Sequence, residues 1–289
     1  MIRRPIYFLA ATFILCLLVI PLAAGEERPV VIVGDSQHDP SMHERIIERM
    51  VKENPLAAFS LGDQVEDGNE ISLWETFDRN IRPLTAIAKY YPCLGNHENN
   101  SWLYFHNFSL KEDERWYTVI VNRMRFIVLD STGQLKIDSE QYRWLEKVLT
   151  ESQKEEIDFV IPLFHHPLLT TAMGILSDES NWGKAAFPLF EKYGVEVVFS
   201  GHSHCYERSL YNGIYYIVSG GGGSTLADQG RESPYLQLFA KKYHYCRLDN
   251  RDGTLAISVF DIDGALIDKI EITSRRHSGK PEEPVAVAH

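Results

Sequence analysis

Cysteine is scarce in this chain, and basic charge is short. Four cysteines occur in 289 residues, and one of them, Cys16, lies inside an apolar leader. Cys93, Cys205 and Cys246 remain, an odd number that does not read as a disulfide framework. A single bridge and three free thiols serving as small apolar packing both stay open. Lys and Arg number 29 against 40 Asp and Glu, and no run of adjacent basic residues is longer than a doublet such as Arg275-Arg276. A protein that grips duplex nucleic acid needs a basic face to displace counterions, so nucleic acid is excluded as the principal partner. Internal repeats and low-complexity tracts are also absent.

The rest of the composition, 44% hydrophobic and 24% charged, is that of a globular protein. The length allows one large core without requiring two domains. Residues 1–25 stand apart. Arg3 and Arg4 precede an apolar run from Ile6 to Ala24, and Glu26-Glu27 follow. This pattern predicts an export signal, with a retained N-terminal anchor as the alternative, because the run just reaches the roughly 20 residues that span a bilayer. Either way the folded part is expected to be secreted, periplasmic or otherwise extracytoplasmic, touching a membrane only through that segment if it is uncleaved. Residues 26–274 are expected to form the functional domain. Residues 275–289, rich in Pro, charge and Ala, are expected to be a disordered tail.

Between these ends, short apolar runs alternate with helical patterns. Pro29–Val33 is a β-branched run, and Ser41 is positioned to cap an amphipathic helix carrying Ile46, Ile47, Met50 and Val51 on one face. Residues 99–115 read as a polar loop containing aromatics. Trp116–Val121 and Met124–Leu129 read as a hairpin about Asn122-Arg123. From Ser209 the period is two, with turns at Asn212-Gly213, Asp252-Gly253 and Asp263-Gly264. Gly220–Gly223 reads as a flexible loop whose backbone could approach a ligand closely. Alternation followed by hairpins predicts an α/β protein with mixed sheets.

Five apolar runs end in polar clusters: Gly34-Asp35, Gly62-Asp63, Gly95-Asn96-His97-Glu98, His165-His166-Pro167 and Gly201-His202-Ser203-His204. Singly, each is an ordinary turn, helix cap or loop. In α/β folds, however, sites form at the carboxyl ends of strands, and all five clusters occupy that position. Asp35, Asp63, Asn96, His165, His202 and His204 together offer the oxygen and imidazole donors that divalent transition metals take. Six donors exceed the needs of one ion and suit two, roughly 3.5–4 Å apart and sharing a carboxylate. Such a pair holds a hydroxide for in-line attack on a phosphate, and His97 is placed to protonate the departing oxygen.

In order and spacing these motifs resemble the calcineurin-like metallophosphoesterases, from about residue 30 to residue 225. Gly201–Arg208 and Tyr216–Gly223 further resemble the purple acid phosphatase branch. The resemblance implies two mixed β-sheets packed as a sandwich flanked by helices, in four layers. It implies that Asp35 and His204 hold one metal and that Asn96, His165 and His202 hold the other. Asp63 bridges the two, and His97 is the catalytic histidine. His165 is preferred to His166 because the family's ligand stands two residues before the proline. Two positions depart from the pattern. Gln37 stands where a His is common, so it is either a weak ligand or a group that orients water. Glu66 stands where purple acid phosphatases carry Tyr, which removes the basis for a purple ferric centre. His38, His43, His106, His244, His277 and His289 are not expected to be ligands. Tyr206, Glu207 and Arg208 are expected to buttress the last loop, the latter two as an ion pair. Trp102, Tyr104 and Phe105 are expected to pack rather than line a pocket.

The resulting expectation is an exported phosphohydrolase with two divalent ions (Mn, Fe or Zn) acting on phosphomonoesters and small phosphodiesters. A non-catalytic scaffold of the same fold and a nuclease of the superfamily are the rivals. A scaffold should show eroded motifs, and only Gln37 departs among the ligands. The acidic balance counts against the nuclease.

Overall fold

In a computed structural model, the chain is described for residues 28–110, 114–133, 136–174 and 181–276. The expected leader lies outside these residues, and so does the expected tail apart from Arg275 and Arg276. Those two are tied down: Arg275 N–H donates to Glu196 Oε1 (2.6 Å), and the Arg276 guanidinium donates to Ser152 O (2.7 Å). No helix among the described residues is long and apolar enough to cross a membrane.

The first strand, β1 (Val30–Val33), shows how the layers arise. Val30 and Ile32 enter one core cluster, while Val31 and Val33 enter another. A strand with apolar side chains at every position buries both faces. β1 pairs in parallel with β2 (Ala57–Ser60), which pairs in parallel with β3 (Lys89–Pro92). On its other side β1 meets β11 (His244–Arg251), followed by β12 (Thr254–Asp261) and β13 (Leu266–Thr273), all antiparallel. The second sheet runs β10-β8-β9-β7-β6-β5-β4, with β5 (Met124–Val128), β6 (Phe159–Phe164), β7 (Val197–Ser200) and β9 (Ile214–Ser219) parallel. Its edges are β4 (Tyr117–Val121) on one side and β8 (Tyr206–Tyr211) with β10 (Leu236–Ala240) on the other.

The two sheets pack face to face through Ile32, Phe59, Phe126, Ile161, Phe199 and their neighbours. Helices α1 (Pro40–Lys52), α2 (Ile71–Thr85) and α3 (Trp102–Asn107) cover the outer face of the first sheet. Helices α4 (Glu140–Ser152) and α5 (Asn181–Lys192) cover the second. The mixed-sheet sandwich flanked by helices, in four layers, is therefore the observed fold.

Local chemistry corrects several expectations. The α1 cap is Asp39, not Ser41: its carboxylate accepts from the N–H groups of Ser41 and Met42, and Pro40 occupies the first helical turn. Residues 102–107 form α3 rather than loop, capped by Ser101. Tyr104 and Phe105 pack into the core as expected, but Trp102 is exposed. The hairpins at Asn122-Arg123, Asn212-Gly213 and Asp252-Gly253 have both turn residues at positive φ, as right-twisted strands require. The β12–β13 connection differs, with Gly264 alone at positive φ. Cys93, Cys205 and Cys246 are buried free thiols.

Candidate metal centre

One backbone device recurs at the carboxyl ends of three strands. Gly34-Asp35, Gly62-Asp63 and Gly201-His202 each turn the chain sharply, with Asp35, Asp63 and His202 in the left-handed region at φ 62°, 52° and 65°. Non-glycine residues adopt this conformation at a cost, which is characteristic of functional sites. The crowding is real at Gly62, itself at φ 91°: a Cβ there would lie 2.6 Å from His165 Nδ1. Backbone hydrogen bonds stitch the turns together. Asp35 N–H donates to Gly62 O (3.1 Å), Gly201 N–H to His165 O (2.9 Å), and His202 N–H to the Asp35 carboxylate (2.9 Å).

Every candidate side chain from Asp35 to His204 reaches this edge. His165 Nε2 lies 2.9 Å from Asn96 Oδ1, 3.1 Å from His202 Nδ1 and 3.2 Å from Asp63 Oδ2. His204 Nε2 lies 3.6 Å from Asp35 Oδ1. Asp63 is central: its Oδ2 also faces Gln37 Nε2 at 3.4 Å and His97 Nε2 at 3.9 Å, while its Oδ1 accepts from His97 N–H. Gln37 turns its amide nitrogen towards Asp63 and His204, and its oxygen accepts from Ser224 Oγ. So placed, its Nε2 faces the cluster and its oxygen faces Ser224. His166 sits beside the set, its ring 4.5 Å from that of His202 and its Nδ1 3.0 Å from Ser131 Oγ.

The electrostatics of these donors fit cations. Burial pushes the Asp35 carboxyl well above its usual range, and the Asp63 and Glu98 carboxylates add to that. Burial alone would lower the His165 imidazole, but the Asp63 and Asp35 carboxylates outweigh it and push it up to about 10. Burial, then the charges of His165 and His166, drop His202 to about 3, so its ring is neutral with a lone pair to give. Buried carboxylates crowded together require positive charge among them; a proton on His165 is one source, and a divalent ion that took its place would find oxygen donors beside imidazole lone pairs. Asp35, Asp63 and His165 present ligand atoms within 4.8 Å of one another, as do His165, His166 and His202.

Two buried carboxylates brace the site without joining it. Glu98 accepts from the N–H groups of Asp63 (2.9 Å), Gln64 (2.7 Å) and Gly95 (2.6 Å), binding the second motif to the third. Its motif was visible in the sequence, but nothing there revealed this role. Glu207 accepts from Thr170 Oγ1 (2.7 Å) and Thr171 N–H (2.8 Å), which secures the loop after β6 to the loop bearing His202 and His204. Glu207 does buttress that loop, but not as the partner of Arg208. Adjacent strand residues point to opposite faces, and Arg208 pairs with Asp268 instead. Gly220–Gly223 is buried and tightly packed rather than flexible. A Cβ at Gly220 would lie 2.2 Å from Ser203 O and 2.9 Å from Asp35 Oδ2, so the close approach is to the protein itself. His38 stands at the mouth, edge-on to the rings of His204 (5.5 Å) and His97 (6.3 Å).

A two-sheet fold whose parallel strands deliver carboxylates, an Asn and imidazoles to one edge defines a class of metal-site proteins, and comparison agrees. The structure is similar to purple acid phosphatase PPD1 from yellow lupin (Lupinus luteus) seeds, with a TM-score of 0.75 at 22% identity over 90% of this chain and 57% of that one. The calcineurin-like phosphoesterase family model matches residues 28–206, and the chain belongs to that family. Among relatives, purple acid phosphatase 22 of Arabidopsis thaliana is 28% identical over 64% of this chain and 49% of its own length. Probable inactive purple acid phosphatase 1 of the same plant is 25% identical over 73% of this chain and 40% of its own length. The chain thus spans about half the length, or less, of these two relatives.

Proposed function

We propose that the chain is an exported, metal-dependent phosphoester hydrolase acting on small phosphomonoesters, with small diesters as a second class. The convergence of Asp35, Asp63, Asn96, His165, His202 and His204 around one point, with His97 beside it, carries this reading. In it Asp35 and His204 would hold one divalent ion, Asn96, His165 and His202 would hold another, and Asp63 would serve both. Bound divalent ions supply charge neutralisation for a phosphate and acidify water at neutral pH. The chain's own residues do the rest. Asp63 Oδ1, by accepting from His97 N–H, fixes the backbone of the third motif against the second. The Glu66 carbonyl lies 2.8 Å from His97 Nδ1 and accepts its proton, which leaves Nε2 facing the site. A second ring proton, carried on Nε2 of the imidazolium, is then the one delivered to the departing ester oxygen, and the ring is left neutral with its proton on Nδ1. The leader at residues 1–25 supports export, and N-terminal mass analysis of the mature protein tests it.

Metal analysis of the purified protein, paired with a monoester and diester screen with and without chelator, tests the whole. Two ions per chain and chelator-sensitive hydrolysis are expected. His97→Ala should keep the ions and lower kcat by ~10²-fold or more, as loss of a general acid does. Metal-free protein that hydrolyses esters in EDTA overturns the reading. Intact metal content with no hydrolysis of any ester favours a scaffold, the condition that the name of one relative carries.

A further inference from the structure

We propose that His38 and Glu66 act together as positioning residues for His97, setting the direction of its Nε2 towards the leaving group. The inference rests on the hydrolase reading above.

Glu66 meets His97 twice: its carbonyl oxygen is 2.8 Å from His97 Nδ1, and its carboxylate Oε2 is 3.7 Å from the same atom. The segments are also joined through the backbone, where Gly68 N–H donates to His97 O (2.8 Å). The orientation of the His97 ring therefore follows the place of residue 66. The side chain of Glu66 is half exposed, and what fixes it is His38, whose Nε2 lies 2.9 Å from Glu66 Oε2. The His38 tautomer is set from the other side. Thr225 N–H donates to His38 Nδ1 (3.2 Å), so the ring proton sits on Nε2 and points at Glu66. The ring also packs edge-on against His204.

The chain of contacts runs Thr225, His38, Glu66, His97, and joins the loop after β9 to the acid of the third motif. A side-chain contact this exposed contributes little to stability. Its geometric constraint at both ends is what a positioning role requires. Neither side chain hydrogen-bonds a metal donor, and the one contact with the set is the His38 ring edge-on to His204, so Glu66→Gln keeps every donor contact and His38→Asn gives up only that one.

Leaving-group dependence tests the proposal. A nitrophenyl phosphate departs without help from an acid, whereas an alkyl phosphate needs a proton delivered to its oxygen. His38→Asn and Glu66→Gln should each lower kcat on the alkyl ester about 10-fold. On the nitrophenyl ester kcat should stay within about two-fold, with KM and bound metal unchanged on both. Because the two residues act through one path, the double variant should be no worse than either single one. Equal losses on both esters, additive losses, or a fall in bound metal overturn the proposal. So does a lowered thermal midpoint with the ratio of the two kcat values unchanged, the signature of a merely structural pair. If metal-loaded wild type cleaves neither ester, or His97→Ala shows no such discrimination, the hydrolase reading fails and this inference falls with it.

Discussion

Glu98 receives three backbone N–H groups on two buried oxygens, and so holds Asp63 and Gly95 in register. Burial, with the nearby Asp63 charge, pushes its carboxyl up to about 7, so the protein keeps it there against a desolvation cost. Glu98→Gln retains the shape but turns an amide N–H₂ towards at least one of those donors. The expected cost is roughly 2 kcal/mol of stability, read from urea denaturation, with a 10- to 100-fold loss of metal affinity by titration calorimetry. Unchanged metal affinity would remove Glu98 from the support of the site. At this scale the donors themselves were legible: a Gly followed by Asp, Asn-His or His at the end of an apolar run is a local signal. The braces were not. Glu98 and Glu207 look like any acidic residues until the loops that they bind, more than 30 residues away in sequence, are laid beside them.

At the scale of elements, the two sheets are joined at one flank by β8 and β13. Tyr206 Oη donates to Asp268 Oδ2 (2.7 Å), and Arg208 Nε donates to the same oxygen (2.6 Å). Asp268→Ala leaves a largely buried guanidinium without its carboxylate and should cost about 2–4 kcal/mol, measured by equilibrium unfolding. A loss below about 0.5 kcal/mol would mean that the tie is no stronger than an exposed pair. Strand and helix positions followed from hydrophobic period and turn chemistry, as the Asn122-Arg123 hairpin and the Ile46, Ile47 and Met50 face of α1 illustrate. The Arg208 partner did not follow, because it depends on which faces of two distant strands meet. The α1 cap was misassigned for a local reason: Asp39 and Ser41 both favour capping, and Pro40 in the first turn decides for the residue before it.

For the molecule as a whole, acid is the condition that exposes what the core holds. His43 is stacked on Phe77 with a buried Nε2 that has no hydrogen-bond partner, and burial drops its imidazole to about 4. The folded pKa lies below the unfolded one, so the unfolded chain takes up the proton first. Stability is therefore lost as pH falls from about 6.5 towards 4. His43→Phe removes that site while keeping the stack. Between pH 7 and pH 4 the wild type should lose on the order of 2–3 kcal/mol more than the variant, read from unfolding midpoints across that range. Parallel pH curves would show that His43 is not held neutral in the fold.

The amino-acid order alone determined the inventory of donors, the strand ends that carry them and the α/β class, because apolar runs and the turns that break them act over a few residues. Only the tertiary structure decided the direction of the Gln37 amide, the pairing of His38 with Glu66, the bracing by Glu98 and Glu207, and the packing of Gly220 against Asp35. Those relations join side chains up to 187 residues apart. They exist only once two twisted sheets have closed on a common core and brought their carboxyl ends to one edge.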